Sequence, residues 1–208
     1  LFPDGPAGKA LPRISPESEG IASARIEGLL RALKESKTLH MHAVMILKNG
    51  NVIGEASFYP YQKELWHMTY SMAKSVVSMS VGFLVSERKI SLDTHIVDVI
   101  KKKLGLLGMI RQKDLTVEHL LTMTSGVAFN EMGSVSGNDW LKGFLEAPVH
   151  HGAGESFEYN SMNTYVLSAI VTEVTGETLL DYLTPRLFEP LGITKVFWES
   201  CPKGINKG

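Results

Sequence analysis

Three stretches of the sequence place a serine three residues before a lysine, a spacing that lets an amine activate a hydroxyl nucleophile on one helical turn. Chance alone gives about one such pair in a chain of this length, so the surroundings must discriminate among them. Ser86 lies at the far end of a predicted helix and Ser200 lies beside a proline, so we interpret both as incidental. The three pairs are Ser71 with Lys74, Ser86 with Lys89, and Ser200 with Lys203.

Only Ser71 stands at the start of a long apolar run with helical spacing. Met72, Val76 and Phe83 return to one face, which predicts a buried helix over residues 71–88. A serine in the first turn of a helix lies beside free backbone N–H groups and the positive end of the helix dipole, where developing negative charge is stabilised. Lys74 projects from the same side and can accept the proton of Ser71. The simpler alternative is a helix-capping serine with a solvated lysine one turn later.

The rest of the chain favours the catalytic interpretation through a series of motifs in a fixed order. The series is Leu-Leu-Thr-Met-Thr-Ser-Gly at residues 120–126, Gly-Glu-Ser-Phe-Glu-Tyr-Asn-Ser at 154–161 and Leu-Phe-Glu-Pro-Leu-Gly-Ile at 187–193. It resembles the serine β-lactamase and penicillin-binding protein superfamily over residues 12–197. The similarity is greatest to the class C β-lactamase-related branch, which includes esterases, D-amino-acid peptidases and hydrolases of aminohexanoate oligomers.

The resemblance assigns roles to four residues of this sequence. It makes Ser71 the acylated nucleophile and Lys74 its proton acceptor. Tyr159 becomes the second proton-transfer group, although a tyrosine in such a turn is usually structural. Ser161 falls at a substrate-binding position where many relatives carry asparagine. The implied protein is a serine hydrolase that forms an acyl-enzyme with a small ester, amide or peptide, with no metal or organic cofactor.

Two positions depart from the family pattern. The Ser161 hydroxyl can hold the lysine by one hydrogen bond but lacks the second polar group of an amide. This departure favours the esterase and oligomer-amidase members over β-lactam hydrolysis. Met123 occupies a position where histidine is common, so we expect it only to pack. The alternative function is a catalytically inactive, penicillin-binding-protein-like binding or sensor module.

A third family element has no counterpart in the sequence. Relatives carry a Lys/His-Thr/Ser-Gly strand that lines the site, and no such tripeptide occurs here. Residues 203–208 contain two glycines and predict a flexible segment. We therefore expect the chain to be an N-terminal portion whose activity needs a C-terminal segment of the same protein.

The expected fold is α+β and β-lactamase/transpeptidase-like, with an antiparallel sheet flanked by helices and a helical lobe. Residues 1–70 would form the N-terminal part of the sheet domain, and residues 71–208 a mainly helical lobe beginning at the nucleophile helix. Asn49-Gly50 between two apolar runs predicts a hairpin, which must pair with strands that this chain does not supply. Helix starts are predicted at Ser23, Thr116, Asn138 or Asp139, Asn163 and Thr178, a stop at Gly176, and a kink or restart at Pro185.

Composition excludes several other classes of function. The chain has 208 residues, 44% of them hydrophobic, so it can bury a substantial core. The balance of 21 basic and 22 acidic residues argues against a nucleic-acid surface. There is no Gly-x-Ser-x-Gly elbow or His-Glu-x-x-His motif, and no apolar segment long enough for a bilayer. A single cysteine, Cys201, prevents an internal disulfide and leaves the compartment open.

Overall fold

The computed structural model describes residues 11–63, 65–103, 105–129 and 137–208. The chain divides near residue 68 into two compact units, residues 11–68 and residues 69–208. Assignment of separate domains to residues 1–70 and 71–208 stays a prediction. The strands are β1 (Ala43–Lys48) and β2 (Asn51–Ser57), and the α-helices are α1 (Ser23–Glu35), α2 (Ala73–Ser86), α3 (Ile96–Val99), α4 (Leu106–Arg111), α5 (Val117–Leu121), α6 (Trp140–Glu146), α7 (Ser161–Thr175) and α8 (Leu179–Leu183).

The first unit contains the predicted hairpin. β1 and β2 pair antiparallel through a two-residue turn at Asn49 and Gly50. Their φ angles are 49° and 81°, so both turn residues are left-handed, as a type I′ turn requires. α1 packs on this hairpin at Gly54, where a Cβ atom would lie 2.8 Å from the side chain of Ile26. The hairpin prediction is confirmed, and Gly54 allows the helix to approach the strand closely.

The open edge of β2 gains a short additional partner. Val52 donates to the carbonyl of Pro12 over 2.8 Å and accepts from the N–H of Ile14 over 3.2 Å, forming a parallel bridge with Arg13. Within the residues that the structure describes, the sheet has two strands. The expectation of further pairing strands stays a prediction.

The predicted cap of α1 is wrong. Ser23 is the first helical residue, and Ala22 occupies the cap position without a side-chain bond. Glu17, from a preceding 3-10 turn, accepts the Ser23 backbone N–H over 2.7 Å. The hydrogen bond with Ser23 lowers the pKa of the Glu17 carboxyl. A carboxylate six residues earlier therefore replaces the local hydroxyl cap.

The second unit is built around α7. Its residues 161–171 are all buried, and α2, α5 and α8 pack against it. Asn160 caps its first turn, because the side-chain oxygen accepts the N–H of Met162 over 2.9 Å. Gly176 ends it with a φ of 77°. The helix thus stops where the sequence predicts but begins two residues earlier than Asn163, since Asn160 supplies the cap.

Side-chain caps define the starts of three shorter helices. Thr116, Asp139 and Thr178 each accept the backbone N–H of the residue three positions later, at α5, α6 and α8. After α8 the chain continues through a π-helical turn, Thr184–Phe188, that contains Pro185. These three starts agree with the sequence prediction, because a cap depends on neighbouring residues alone. The kink or restart expected at Pro185 stays a prediction.

Residues 203–208 form an ordered turn, so the prediction of a flexible segment is wrong. The backbone N–H of Cys201 donates to the carbonyl of Ile205 over 2.8 Å, and Gly204 supports the turn with a φ of 80°. Ile205 and Asn206 are buried. The Asn206 side chain accepts the N–H of Leu180 over 3.0 Å and donates to the Ser200 hydroxyl over 2.9 Å. Packing against α8 therefore orders a segment that its glycines alone predict to be mobile.

Candidate active site

Ser71 lies in a single 3-10 turn, Tyr70–Met72, that runs directly into α2. Tyr70, immediately before it, has a φ of 45°, an unusual conformation for a residue with a large side chain. Such left-handed residues cost about 1–3 kcal/mol and are retained where surrounding structure requires them. Ser71 itself is exposed. Ser71 therefore lies exposed at the start of the helix, as the sequence predicts. The helix is buried on one face only, through Val77, Ser80, Val81 and Leu84, and the predicted core residue Met72 is 64% exposed.

Lys74 lies one turn after Ser71 and faces its hydroxyl. The Lys74 Nζ donates to Ser71 Oγ over 3.3 Å, and the lysine is half-buried. The two other predicted pairs are engaged differently. Lys89 forms an ion pair with Glu87, while Lys203 forms one with Asp139. Lys74 therefore differs from the other two lysines: it hydrogen-bonds the serine of its own pair, whereas they form ion pairs with carboxylates.

Tyr159 reaches the same serine from the residues that precede α7. Its hydroxyl lies 2.6 Å from Ser71 Oγ, and Lys74 Nζ lies 5.3 Å from the centroid of its ring. The hydrogen bond with Ser71 lowers the pKa of the Tyr159 hydroxyl most. Partial burial opposes this shift, while the Lys74 charge and a hydrogen bond with Ser161 add to it. The environment therefore favours the phenolate more than water does.

Ser161 is the first residue of α7 and is buried, with 8% of its surface exposed. Its side chain is one of the groups that lower the pKa of the Tyr159 hydroxyl. Its carbonyl accepts from the Thr164 hydroxyl over 2.8 Å. The structure thus brings together all four predicted site residues, Ser71, Lys74, Tyr159 and Ser161, while their chemical roles stay predictions.

A polar network that the sequence analysis did not identify supports the Tyr159 segment. The backbone N–H of Glu158 donates to the carbonyl of Met123 over 2.9 Å. Met123 is buried and has a φ of 58°. Asn163, fully buried on α7, accepts from Ser125 Oγ over 2.8 Å and donates to Met123 Sδ over 3.7 Å. A polar residue within the apolar pattern of α7 was the available signal for Asn163.

Two histidines lie near the residue that precedes Tyr159. His150 and His151 approach Glu158 at 3.7 Å and 3.8 Å. Among residues 11–208, excluding the undescribed positions, no three histidines, cysteines or acidic residues form a group that could hold a metal ion. Cys201 is buried and accepts from the Tyr165 hydroxyl over 3.3 Å. In the same described part of the chain, no helix has both the length and the apolar character needed to cross a bilayer.

Sequence comparison relates this site to curated proteins. Protein flp from Staphylococcus aureus (strain COL) is 27% identical over 173 residues, which cover 73% of this chain and 33% of flp. Penicillin-binding protein 4 from Amycolatopsis lactamdurans is 30% identical over 128 residues, covering 59% of this chain and 33% of that protein. The chain therefore spans about a third of the length of these relatives.

Solved structures show the same fold at lower sequence identity. FmtA from Staphylococcus aureus superposes with a TM-score of 0.69 at 17% identity, covering 98% of this chain and 58% of FmtA. A class C beta-lactamase superposes with a TM-score of 0.67 at 17% identity, covering 82% of this chain and 48% of that protein. EstCE1, a hydrolase with promiscuous acyltransferase activity, superposes with a TM-score of 0.63 at 19% identity. The match covers 88% of this chain and 55% of EstCE1. The predicted β-lactamase/transpeptidase-like α+β fold is confirmed.

The Beta-lactamase family profile matches residues 26–207, a range that includes Ser71, Lys74, Tyr159 and Ser161. The match covers most of both compact units. This chain therefore belongs to the beta-lactamase family, within the serine β-lactamase and penicillin-binding protein superfamily.

Proposed function

We propose that the protein containing this chain hydrolyses a small ester or amide through an acyl-enzyme on Ser71. One observation carries the proposal: Ser71 Oγ lies within hydrogen-bond reach of both Lys74 Nζ and the Tyr159 hydroxyl, at 3.3 Å and 2.6 Å. Two groups that can exchange protons with one nucleophile are what both halves of an acyl-transfer cycle require.

In the acylation step, Ser71 Oγ attacks the carbonyl carbon while the amine of Lys74 takes the hydroxyl proton. The new C–O bond forms as the carbonyl oxygen becomes an oxyanion. Backbone N–H groups at the start of α2, together with the positive end of its dipole, stabilise that charge. This position at the beginning of a 14-residue helix supports the assignment of Ser71 as the nucleophile.

Collapse of the tetrahedral intermediate breaks the bond to the leaving alkoxide or amine. Tyr159 gives its proton to that group, which leaves Tyr159 as a phenolate beside the Lys74 ammonium that holds the proton taken from Ser71. In deacylation the Tyr159 phenolate takes a proton from water, whose oxygen attacks the acyl carbon, and Lys74 returns its proton to Ser71 Oγ as the bond to the acyl group breaks. The lowered pKa of Tyr159 supports this second role, because it makes the phenolate, which is the base in this step, easier to form.

Ser161 makes esters and linear amides better candidates than β-lactams. Its hydroxyl offers one donor and an acceptor where an asparagine amide would offer two donors and an acceptor. Ser161 also helps to lower the pKa of the Tyr159 hydroxyl, so it contributes to the environment of the proton-transfer group. We assign Ser161 to the substrate side of the site on this basis.

The test compares hydrolysis of a nitrophenyl ester and a chromogenic β-lactam by the complete protein and by its Ser71→Ala variant. Ser86→Ala is the matched control, because Ser86 also precedes a lysine by three residues. We expect ester turnover that disappears only in Ser71→Ala, with an acylated peptide containing Ser71 identified by mass spectrometry.

Two outcomes would contradict the proposal. Equal loss of turnover in both variants would show that Ser71 has no special role. A stable adduct on Ser71 that never hydrolyses would instead identify a binding or sensor module, the alternative function. Rapid multiple turnover of the ester would exclude that alternative.

A further inference from the structure

Asn160 lies between two residues of the candidate site, and its side chain connects two separate segments. The side-chain oxygen accepts the N–H of Met162 over 2.9 Å at the start of α7. The side-chain nitrogen donates to the carbonyl of Val127 over 3.1 Å and to that of Phe129 over 3.0 Å. Only 5% of the residue is exposed. The amide thus uses one acceptor and two donors, all away from water.

This combination of bonds requires an amide on a short side chain. Serine or aspartate at residue 160 could still cap α7, because both carry an oxygen that accepts a backbone N–H. Aspartate would place its second oxygen against two carbonyl oxygens, and serine has a single donor. Either replacement removes at least one of the two hydrogen bonds that join residue 160 to the carbonyls of Val127 and Phe129, which is unfavourable at a buried position. Capping α7 alone therefore does not account for asparagine.

The bonds to Val127 and Phe129 fix the backbone on which Tyr159 is carried. Val127 is also bridged to Val149, and the N–H of Ala128 donates to the carbonyl of Pro148 over 2.9 Å. Phe129 lies so close to α6 that a Cβ atom at Gly143 would meet its ring at 2.6 Å. The segment that Asn160 holds is therefore itself anchored to its surroundings.

We propose that Asn160 is a positioning residue for acyl transfer: its amide ties the start of α7 to residues 127–129 and thereby holds the Tyr159 hydroxyl against Ser71. This inference rests on the proposed function. Tyr159 is about half exposed, at 54%, so packing of its own ring fixes it only in part. The adjacent buried amide supplies an anchor through the backbone.

The test measures kcat and KM of the complete protein for a nitrophenyl ester across pH, with Asn160→Ser and Asn160→Asp. Asn206→Ser is the matched control, because Asn206 is equally buried, accepts a backbone N–H and donates to a serine hydroxyl. We expect Asn160→Ser to lower kcat about 10- to 100-fold with KM nearly unchanged, because small misplacements of catalytic groups cost rates of that order. The pH dependence of kcat attributed to Tyr159 should shift as well, whereas Asn206→Ser should leave both unchanged.

Measurements are made well below the lowest melting temperature, so that loss of folded protein is not mistaken for loss of rate. Equal effects of Asn160→Ser and Asn206→Ser on kcat would overturn the inference and leave Asn160 a structural residue. Should Asn160→Ser fail to fold, Asn160→Asp is decisive: unchanged kcat and pH dependence would also overturn it. Wild-type turnover that survives Ser71→Ala would instead overturn the proposed function, whatever Asn160 does.

Discussion

The Tyr159 hydroxyl lies 2.6 Å from Ser71 Oγ, although 88 positions separate the two residues in the sequence. The tyrosine approaches from the residue before the cap of α7, and the serine from the turn before α2. Each hydroxyl lies within reach of a second group, Ser71 of Lys74 and Tyr159 of Ser161. A change at any of these side chains should therefore affect its neighbours measurably.

We expect Tyr159→Phe to lower kcat for a nitrophenyl ester about 10²- to 10⁴-fold, because it removes a proton-transfer group but retains the ring. KM should change little. Steady-state kinetics of the complete protein provide the measurement, and Tyr182→Phe, which removes a buried hydroxyl on α8, provides the control. Near-normal kcat in Tyr159→Phe would show that Tyr159 is structural.

Lys74→Arg should abolish ester hydrolysis even though it preserves a positive charge. The guanidinium group stays protonated in proteins, so it cannot take the proton of Ser71. Labelling of Ser71 by the ester should be lost with turnover, as judged by intact mass spectrometry. Lys89→Arg, in the second Ser-x-x-Lys pair, should retain activity, and comparable loss in both variants would argue against a base role for Lys74.

Ser71→Ala should raise the pKa of Tyr159 towards that of a free tyrosine. Hydrogen bonding to Ser71 is the largest cause of the lowered pKa, so its removal should leave less stabilisation of the phenolate. Ultraviolet absorbance of tyrosinate, taken as the difference between each protein and its Tyr159→Phe counterpart, isolates this titration. An unchanged titration would mean that Ser71 and Tyr159 are not hydrogen-bonded in solution.

Glu87 should make the folded state sensitive to acid. Hydrogen bonds with Lys89 and then Arg186 lower its pKa to about 2, against an ordinary value of 4.5. Because the folded-state pKa is depressed, its contribution is fully present above pH 4.5 and disappears as pH falls towards 2. Glu87→Gln should therefore reduce the free energy of unfolding by about 1 kcal/mol at neutral pH, given solvent screening of the pair.

Urea unfolding at neutral pH and near the folded-state pKa provides the measurement for Glu87. The difference between wild type and Glu87→Gln should narrow in acid. Glu27→Gln on the exposed surface of α1 is the control and should show a smaller change at neutral pH. A difference that is constant across pH would mean that packing of Glu87, not its charge, stabilises the fold.

Local chemistry explains which parts of the fold the sequence predicts well. Asn49-Gly50 selects its turn, and Thr116, Asp139 and Thr178 begin their helices, because each effect acts within a few residues. A contact from outside the first helical turn explains the wrong prediction at α1, where Glu17, six residues earlier, replaces the cap expected at Ser23.

The residues of the candidate site likewise divide into those that local spacing predicts and those that it does not. Ser71 and Lys74 share one turn, so spacing alone predicts their proximity, whereas the resemblance to a known family was needed to include Tyr159. Asn160 and the Asn163–Ser125 bond were not predicted, because polar side chains buried on an apolar helix choose partners that only the tertiary fold brings near. No periodic pattern in the sequence indicates which partners these side chains bind.

The packing of α7 against α2 joins two parts of the chain that are far apart in sequence. Closing a chain segment of this length carries an entropic cost, so the site exists only where the packing of the two helices offsets that cost. During synthesis, a nascent chain carries Ser71 and Lys74 long before it carries Tyr159. The contact between the two hydroxyls therefore requires both helices to be in place, so it reports whether the second unit has folded.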